Sequence, residues 1–250
     1  MIRIYNKNEI KILRQSGKIL AEIIDKLKNE VKPGIKTEYL NKVAKDLVFS
    51  YGAEPSFLGF DGYPAALCTS INEEIVHGVP SNRELKNGDI LSLDFGVRYK
   101  GYCTDMAVTV PVGKVSKKTQ KIIEATEGSL LFGIEQAKAG GYLGDISWAI
   151  QNYSEKSGFN IVRQLVGHGV GKSVHEDPQI PNYGKRGTGP KLAKGMVFAI
   201  EPMLTVGNWY VEKTADGYGY KTTDNSLSCH FEHTIVIREK GKEPEILTKI

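Results

Sequence analysis

Apolar residues recur at helical spacing between about Asn6 and Val31. Ile10, Leu13, Leu20, Ile23, Ile24, Leu27 and Val31 share one stripe, and Pro33-Gly34 stops the run. This pattern predicts an amphipathic helix. A second helix is expected from Thr37, read as its N-cap, with Leu40, Val43, Ala44, Leu47 and Tyr51 turned inward and Gly52 ending it. The stretches AALCTSI, DILSLDFGV and YCTDMAVTV then read as strands. Helices return after Lys117, one through Ile122 to Lys138 ahead of Ala139-Gly140, another around Asp145 to Ser157 ahead of Gly158, and strands follow to the C-terminus. The helix-helix-strand order thus occurs twice, in halves of about 6–112 and 117–240. The halves align without gaps at an offset of 106, setting Gly34 on Gly140, Leu40 on Ile146, Ala44 on Ile150 and Gly52 on Gly158. Identity between them is low, and chance matching of two helix-turn-helix stretches is the competing explanation. The reading is a single α+β domain, 1–250, of two pseudo-symmetric helix-helix-sheet halves, with a site at their seam.

Five ionisable residues interrupt the apolar strands: Asp94 in LSLDFGV, Asp105 in GYCTDMAVTV, His168 in QLVGHGVG, Glu201 in MVFAIEPML and Glu232 in CHFEHTIVI. An unpaired charge buried in a sheet costs several kcal/mol, and four carboxylates would also repel one another. A pair of divalent cations would neutralise them. Oxygen donors with one imidazole suit manganese, iron, cobalt or zinc better than copper, and shared carboxylates would hold two ions roughly 3.5 to 4 Å apart. Between the two aspartates, Arg98-Tyr99-Lys100-Gly101 reads as a hairpin turn. If Asp94 lies directly opposite Asp105, the turn is centred between Tyr99 and Lys100 and the carboxylates stand side by side. A bulge at Gly101 that rotates one aspartate outward is the alternative. Gly167 and Gly169 would leave the His168 ring approachable, against the competing reading of a hydrogen-bonded core histidine.

Composition narrows the function classes. The 250 residues are 40% hydrophobic and 25% charged, as in ordinary globular proteins. The net charge of +4 is spread along the chain. Its densest run, Lys114, Lys117, Lys118 and Lys121, is followed at once by Glu124 and Glu127 and reads as the exposed face of a helix, not as a nucleic-acid surface. Cys68, Cys103 and Cys229 have no C-x-x-C spacing, which argues against a disulfide framework or zinc knuckle and for a reducing compartment. MIRIYNKNEIKILRQ lacks the apolar core of a signal peptide, and no apolar run reaches transmembrane length. A cytoplasmic location is expected.

The chain resembles type I methionine aminopeptidase, within the wider pita-bread metallopeptidases of M24 type. The likeness runs nearly end to end and is carried by INEEIVHGVP, ILSLDFGV, GYCTDMAVT, GHGVGKSVHEDP, FAIEPM and FEHTIVI. It implies a pita-bread fold around a curved, mainly antiparallel sheet and two divalent ions, with Asp94 on one, His168 and Glu201 on the other, and Asp105 and Glu232 bridging. A bridging water or hydroxide would be the nucleophile. By the same resemblance His175 meets the scissile carbonyl oxygen or the oxyanion, His77 contacts the nitrogen side of the bond, and Glu201 or Glu232 shuttles the proton. Phe57, Phe60, Tyr63, Cys68, Val174 and Tyr218 match the methionine pocket. At Phe57, Val174 and Tyr218 the chain departs from residues that many relatives carry. Ser70-Ile71-Asn72 and Ser228 match a region that can hold a monovalent cation. Strand alternation is taken to turn His230 to the surface and to leave His233 a structural residue.

The implied activity is removal of initiator methionine from nascent proteins and Met-peptides with a small second residue. A monomer in transient ribosome contact is also expected, and the spread charge and short apolar runs argue against a specific nucleic-acid or membrane partner. Three other readings compete. An X-prolyl peptidase of the same fold usually carries an extra N-terminal domain, and a type II enzyme needs a helical insertion for which there is no room between Glu201 and Glu232. A non-catalytic binding module would generally have lost ligands, whereas this chain has all five.

Overall fold

The first helix, α1 (Lys7–Glu30), begins where Asn6 accepts hydrogen bonds from the Asn8 and Glu9 amides while the Glu9 carboxylate reaches back to the Asn6 amide. This reciprocal cap satisfies donors that the first helical turn leaves open. The computed structural model describes residues 1–250. After α1 come α2 (Thr37–Ser50), β1 (Glu54–Pro55), a 3-10 turn at Phe60–Gly62, β2 (Leu67–Ile71), β3 (Glu74–Val76), β4 (Ile90–Tyr99) and β5 (Tyr102–Pro111). Then follow α3 (Lys117–Glu135), α4 (Leu143–Lys156), β6 (Asn160–Ile161), β7 (Val166–Gly169), β8 (Glu176–Pro181), β9 (Val197–Ile200) and β10 (Met203–Thr205). The last strands are β11 (Val211–Lys213), β12 (Tyr220–Thr222), β13 (Ser228–His230), β14 (Glu232–Val236) and β15 (Glu245–Ile246).

Nine strands form one open sheet in the order β1-β4-β5-β14-β9-β7-β8, with β2 also paired to β4 and β15 to β14. Two small sheets, β13-β10-β6 and β11-β12-β3, complete the mixed architecture, and every strand pair is antiparallel. This is the α+β class expected from the sequence. Period-two alternation gives β4 and β5 two unlike faces. Leu93, Phe95, Met106 and Val108 belong to the main hydrophobic core, and α1 packs against both strands there. Ser16 of α1 reaches the Val97 carbonyl at 3.2 Å and the Thr104 hydroxyl at 2.9 Å on that side. The opposite face carries Asp94 and Asp105.

The hairpin differs from its expected register. Tyr99 pairs with Tyr102, leaving a two-residue turn of Lys100 and Gly101, both at positive φ (49° and 77°). That is the turn geometry whose twist matches an antiparallel ribbon. Asp94 therefore lies opposite Ala107 and Asp105 opposite Gly96, without a bulge. The two aspartates are diagonal neighbours on one face, not a directly opposed pair. At α2, Thr37 is the first helical residue and not the cap, because its hydroxyl is engaged with Ser81, donating to the carbonyl (3.1 Å) and accepting from the amide (2.8 Å). Val48 is buried on this helix beside Leu40 and Ala44, while Val43, Leu47 and Tyr51 are half-buried. Helices α2 and α4 each span 14 residues and each is followed by a positive-φ glycine, Gly52 or Gly158. No helix is long and apolar enough to cross a membrane.

Candidate metal centre and its cavity

Register brings the five ionisable residues of the strands to one face. Asp94 pairs with Ala107, which pairs in turn with Glu232, so that β4, β5 and β14 contribute one cross-strand row. Ala199 pairs with both Thr234 and His168, and Glu201 lies two residues beyond Ala199, on the same side of its strand. Asp105 is held by Thr234, whose hydroxyl donates to the Asp105 carbonyl and accepts from its amide, both at 2.8 Å. One ligand atom each from Asp105, His168 and Glu232 falls within 4.8 Å of the others, and all three residues are buried.

The glycines flanking His168 serve a purpose other than access. A Cβ at Gly167 would meet the Ala199 carbonyl oxygen, and one at Gly169 would run into the backbone of Asp177. Bare backbone lets β7 pack closely between its neighbours. His168 Nδ1 lies 2.9 Å from the Gly169 carbonyl oxygen, which can only accept, so the proton is on Nδ1. The lone pair on Nε2 then faces Glu201 Oε1 at 3.4 Å. A lone pair facing a carboxyl group at this distance needs a proton or a metal ion between the two.

The electrostatics agree. Burial pushes Asp94 up to about 7. Burial, reinforced by the neighbouring carboxylates, raises Asp105, Glu201 and Glu232 well above the usual carboxylate range. Burial also lowers His168 to about 3. Asp94 Oδ1 and Glu232 Oε1 have no hydrogen-bond partner although both are buried. Orphaned anionic oxygens of this kind fit a divalent metal site.

The cluster forms one wall of a cavity of about 320 Å³, of a size for a side chain or small ligand. Phe57, Phe60, Tyr63, Cys68, Val174 and Tyr218 all line it, with Val76, Tyr220, Asp61, Lys213 and Gly217, which the sequence reading did not single out. Burial keeps the Cys68 thiol protonated, so it acts as a small apolar wall. His77 and His175 face the same space. His77 has φ 60° and precedes Gly78, where a Cβ would strike the Thr69 carbonyl; the Gly78 amide instead reaches Ser70 Oγ at 3.2 Å. His175 stands edge-on to His168, ring centroids 4.4 Å apart, and to Phe60 at 5.1 Å. Burial lowers His77 to about 4 and lowers His175 as well, so both are neutral near pH 7.

His230 does not face the surface. It is 1% exposed, with Nε2 at 3.6 Å from Glu201 Oε2 and 4.0 Å from Glu232 Oε2. The signal was in the spacing, because residues two apart in extended chain share a side and His230 precedes Glu232 by two. His233 is half-buried and bonded to the Thr248 hydroxyl at 2.9 Å, a structural contact. Near Asn72 the backbone is engaged, its carbonyl accepting from the Ser228 amide at 2.8 Å, while the Ser228 hydroxyl lacks a partner. The three cysteines are free and buried.

Comparison with known proteins agrees with this geometry. The profile described as Metallopeptidase family M24 matches residues 11–239. A methionine aminopeptidase of Clostridium perfringens is 48% identical over 250 residues, covering all of both chains. The crystal structure of a methionine aminopeptidase from Thermotoga maritima superposes with a TM-score of 0.98 at 42% identity, again over all of both chains. The prolidase of Pyrococcus horikoshii superposes with a TM-score of 0.79 at 25% identity, over 98% of this chain and 63% of that one.

Proposed function

We propose how this chain, which belongs to metallopeptidase family M24 and within it to the type I methionine aminopeptidases, carries out its hydrolysis. It removes initiator methionine from the N-termini of nascent proteins and Met-peptides, and it favours a small second residue. Action on nascent chains places it in the cytoplasm, in transient contact with ribosomes. A monomer is taken as the working unit.

The observation that carries this reading is the approach of His168 Nε2 to Glu201, beside the buried carboxylates of Asp94, Asp105 and Glu232. Asp94, Asp105, His168, Glu201 and Glu232 would hold two divalent ions of the manganese, iron, cobalt or zinc type. Asp94 would serve one ion, His168 and Glu201 the other, and Asp105 and Glu232 would be shared, so that four negative charges would balance two dications. Bound there, the ions supply Lewis acidity and make a water nucleophilic near neutral pH.

The remaining work falls to side chains of this protein. The apolar wall from Phe57 to Tyr218 takes the methionine side chain and excludes water from it. His175 donates to the scissile carbonyl oxygen as negative charge develops there, and His77 contacts the nitrogen side of the same bond. Glu201 or Glu232 accepts the proton of the attacking water and returns it to the leaving amine. Neutral imidazoles suit hydrogen-bond donation beside dications, where a charged ring would be repelled.

Calorimetric titration of chelator-stripped protein with manganese tests the ligand set. Two ions per chain are expected in the wild type, with binding weakened in Asp105→Asn and Glu232→Gln. Unchanged stoichiometry and affinity in both variants would remove the assignment.

A further inference from the structure

The segment that carries His175 has no regular structure of its own. Gly171 to His175 is a run of bends between β7 and β8, and it presents Val174 and His175 to the cavity. What holds it lies behind, on the N-terminal segment. The Tyr5 hydroxyl donates to the Glu176 carboxylate (2.8 and 2.9 Å to its two oxygens) and accepts from the Lys172 amide at 2.8 Å. Glu176 in turn accepts from the Ser173 amide at 2.9 Å. One phenol thus ties both ends of the bend run. Gly171, at φ 154°, sits so close to this hydroxyl that any Cβ there would collide with it.

The anchor itself is fixed. Tyr5 is 3% exposed, packs in a buried cluster with Leu13, Val170 and Val197, and donates its amide to the Gly195 carbonyl at 2.8 Å. Burial and the Glu176 carboxylate push its hydroxyl well above the ordinary tyrosine range, so it stays a donor across the working pH. A second grip comes from Tyr102, whose ring lies 3.5 Å under Lys172 Nζ and whose hydroxyl reaches Glu9 of α1 at 3.1 Å.

We propose that Tyr5 is a positioning residue for the reaction, holding the Gly171–His175 bend so that the His175 ring is presented to the scissile carbonyl. The inference rests on the role given to His175 above. Without the phenol hydroxyl, the partly buried Lys172 amide loses its acceptor and Glu176 its donor, which favours local opening of the bend run. A catalytic donor displaced by about 1 Å can cost on the order of 100-fold in rate, and partial loosening costs less.

A double-mutant cycle of Tyr5→Phe and His175→Ala tests it, with kcat for Met-Ala-Ser and manganese affinity measured in all four proteins. Tyr5→Phe is expected to lower kcat about tenfold with metal affinity unchanged, and to lower it less than twofold further once His175 is alanine. An equal cost in both backgrounds, or none in the wild type, overturns the proposal. If His175→Ala alone leaves kcat unchanged, the role of His175 fails and this inference fails with it. Amide hydrogen exchange supplies the second readout: faster exchange confined to residues 172–175 is expected in Tyr5→Phe, whereas a uniform rise along the chain marks a merely structural role and overturns the proposal. Should Tyr5→Phe not fold, Glu176→Gln goes through the same cycle with the same criteria.

Discussion

Asp94, Asp105 and Glu232 are buried, with the partly buried Glu201 beside them and too few donors to satisfy the group, and that imbalance gives the metal-free protein a distinctive pH response. Each carboxylate has a folded pKa above its unfolded one, so the folded state holds more protons over that interval and stability falls as pH rises through it. The neutral imidazoles of half-buried His77 and of buried His168 and His230, lowered to about 4, 3 and 3, act in the opposite sense, but only below about pH 6.5, where the unfolded chain takes up protons. Metal-free protein should therefore lose thermal stability as pH rises above about 6.5 and through the Asp94 value of about 7, and bound manganese should abolish the loss. Melting curves with and without metal across that range check this, and a flat metal-free profile would count against uncompensated charge. Substitutions separate the roles further. His77→Ala should keep the manganese affinity while slowing kcat roughly 100-fold, as loss of a transition-state contact does. Glu232→Gln should lose both turnover and metal, and normal turnover in a metal-free Glu232→Gln sample would sink the mechanism.

At the scale of elements, short stretches of backbone aim these residues. Gly169→Ala should destabilise the protein by roughly 1 to 3 kcal/mol, because its Cβ meets backbone and not a movable side chain. Metal affinity should fall with it, since β7 carries His168, and urea unfolding with a manganese titration reads both. Lys100→Asn should instead stabilise by about 0.5 to 1 kcal/mol with activity unchanged, because asparagine tolerates the left-handed conformation found there. How much was legible in the sequence follows the same division. The helices were readable because stripes and stops are local signals, as at Leu40 and Gly52, whereas the cap of α2 was misplaced by one residue at Thr37. The register of β4 on β5 was not, since only the turn decides it: Lys100, a residue that disfavours positive φ, adopts it, and the pairing moves by two residues. His230 was misread because the spacing to Glu232 was not followed through. The use of Tyr5 could not be read at all, for it depends on an N-terminal segment meeting a loop 167 residues later in the chain.

For the whole molecule, one sheet separates structural from chemical work. The face of β4 and β5 bearing Leu93, Phe95 and Met106 packs into the main core with α1, and the other turns Asp94 and Asp105 to the cavity. Stability and chemistry are thus borne by opposite sides of the same strands, and alternation alone keeps them apart. The apolar wall and the acidic floor meet in a single space, which suits an N-terminal residue with a long apolar side chain next to a bond to be hydrolysed. The central claim is metal-dependent removal of N-terminal methionine. Its most direct test is hydrolysis of Met-Ala-Ser beside Ala-Pro-Ala by chelator-stripped protein titrated with manganese, cobalt, iron or zinc, reading the amino acid released. Silence is expected without metal and, on its return, release of methionine from Met-Ala-Ser with Ala-Pro-Ala left intact. Cleavage of Ala-Pro-Ala alone, or no cleavage by folded, metal-loaded protein, would contradict that claim.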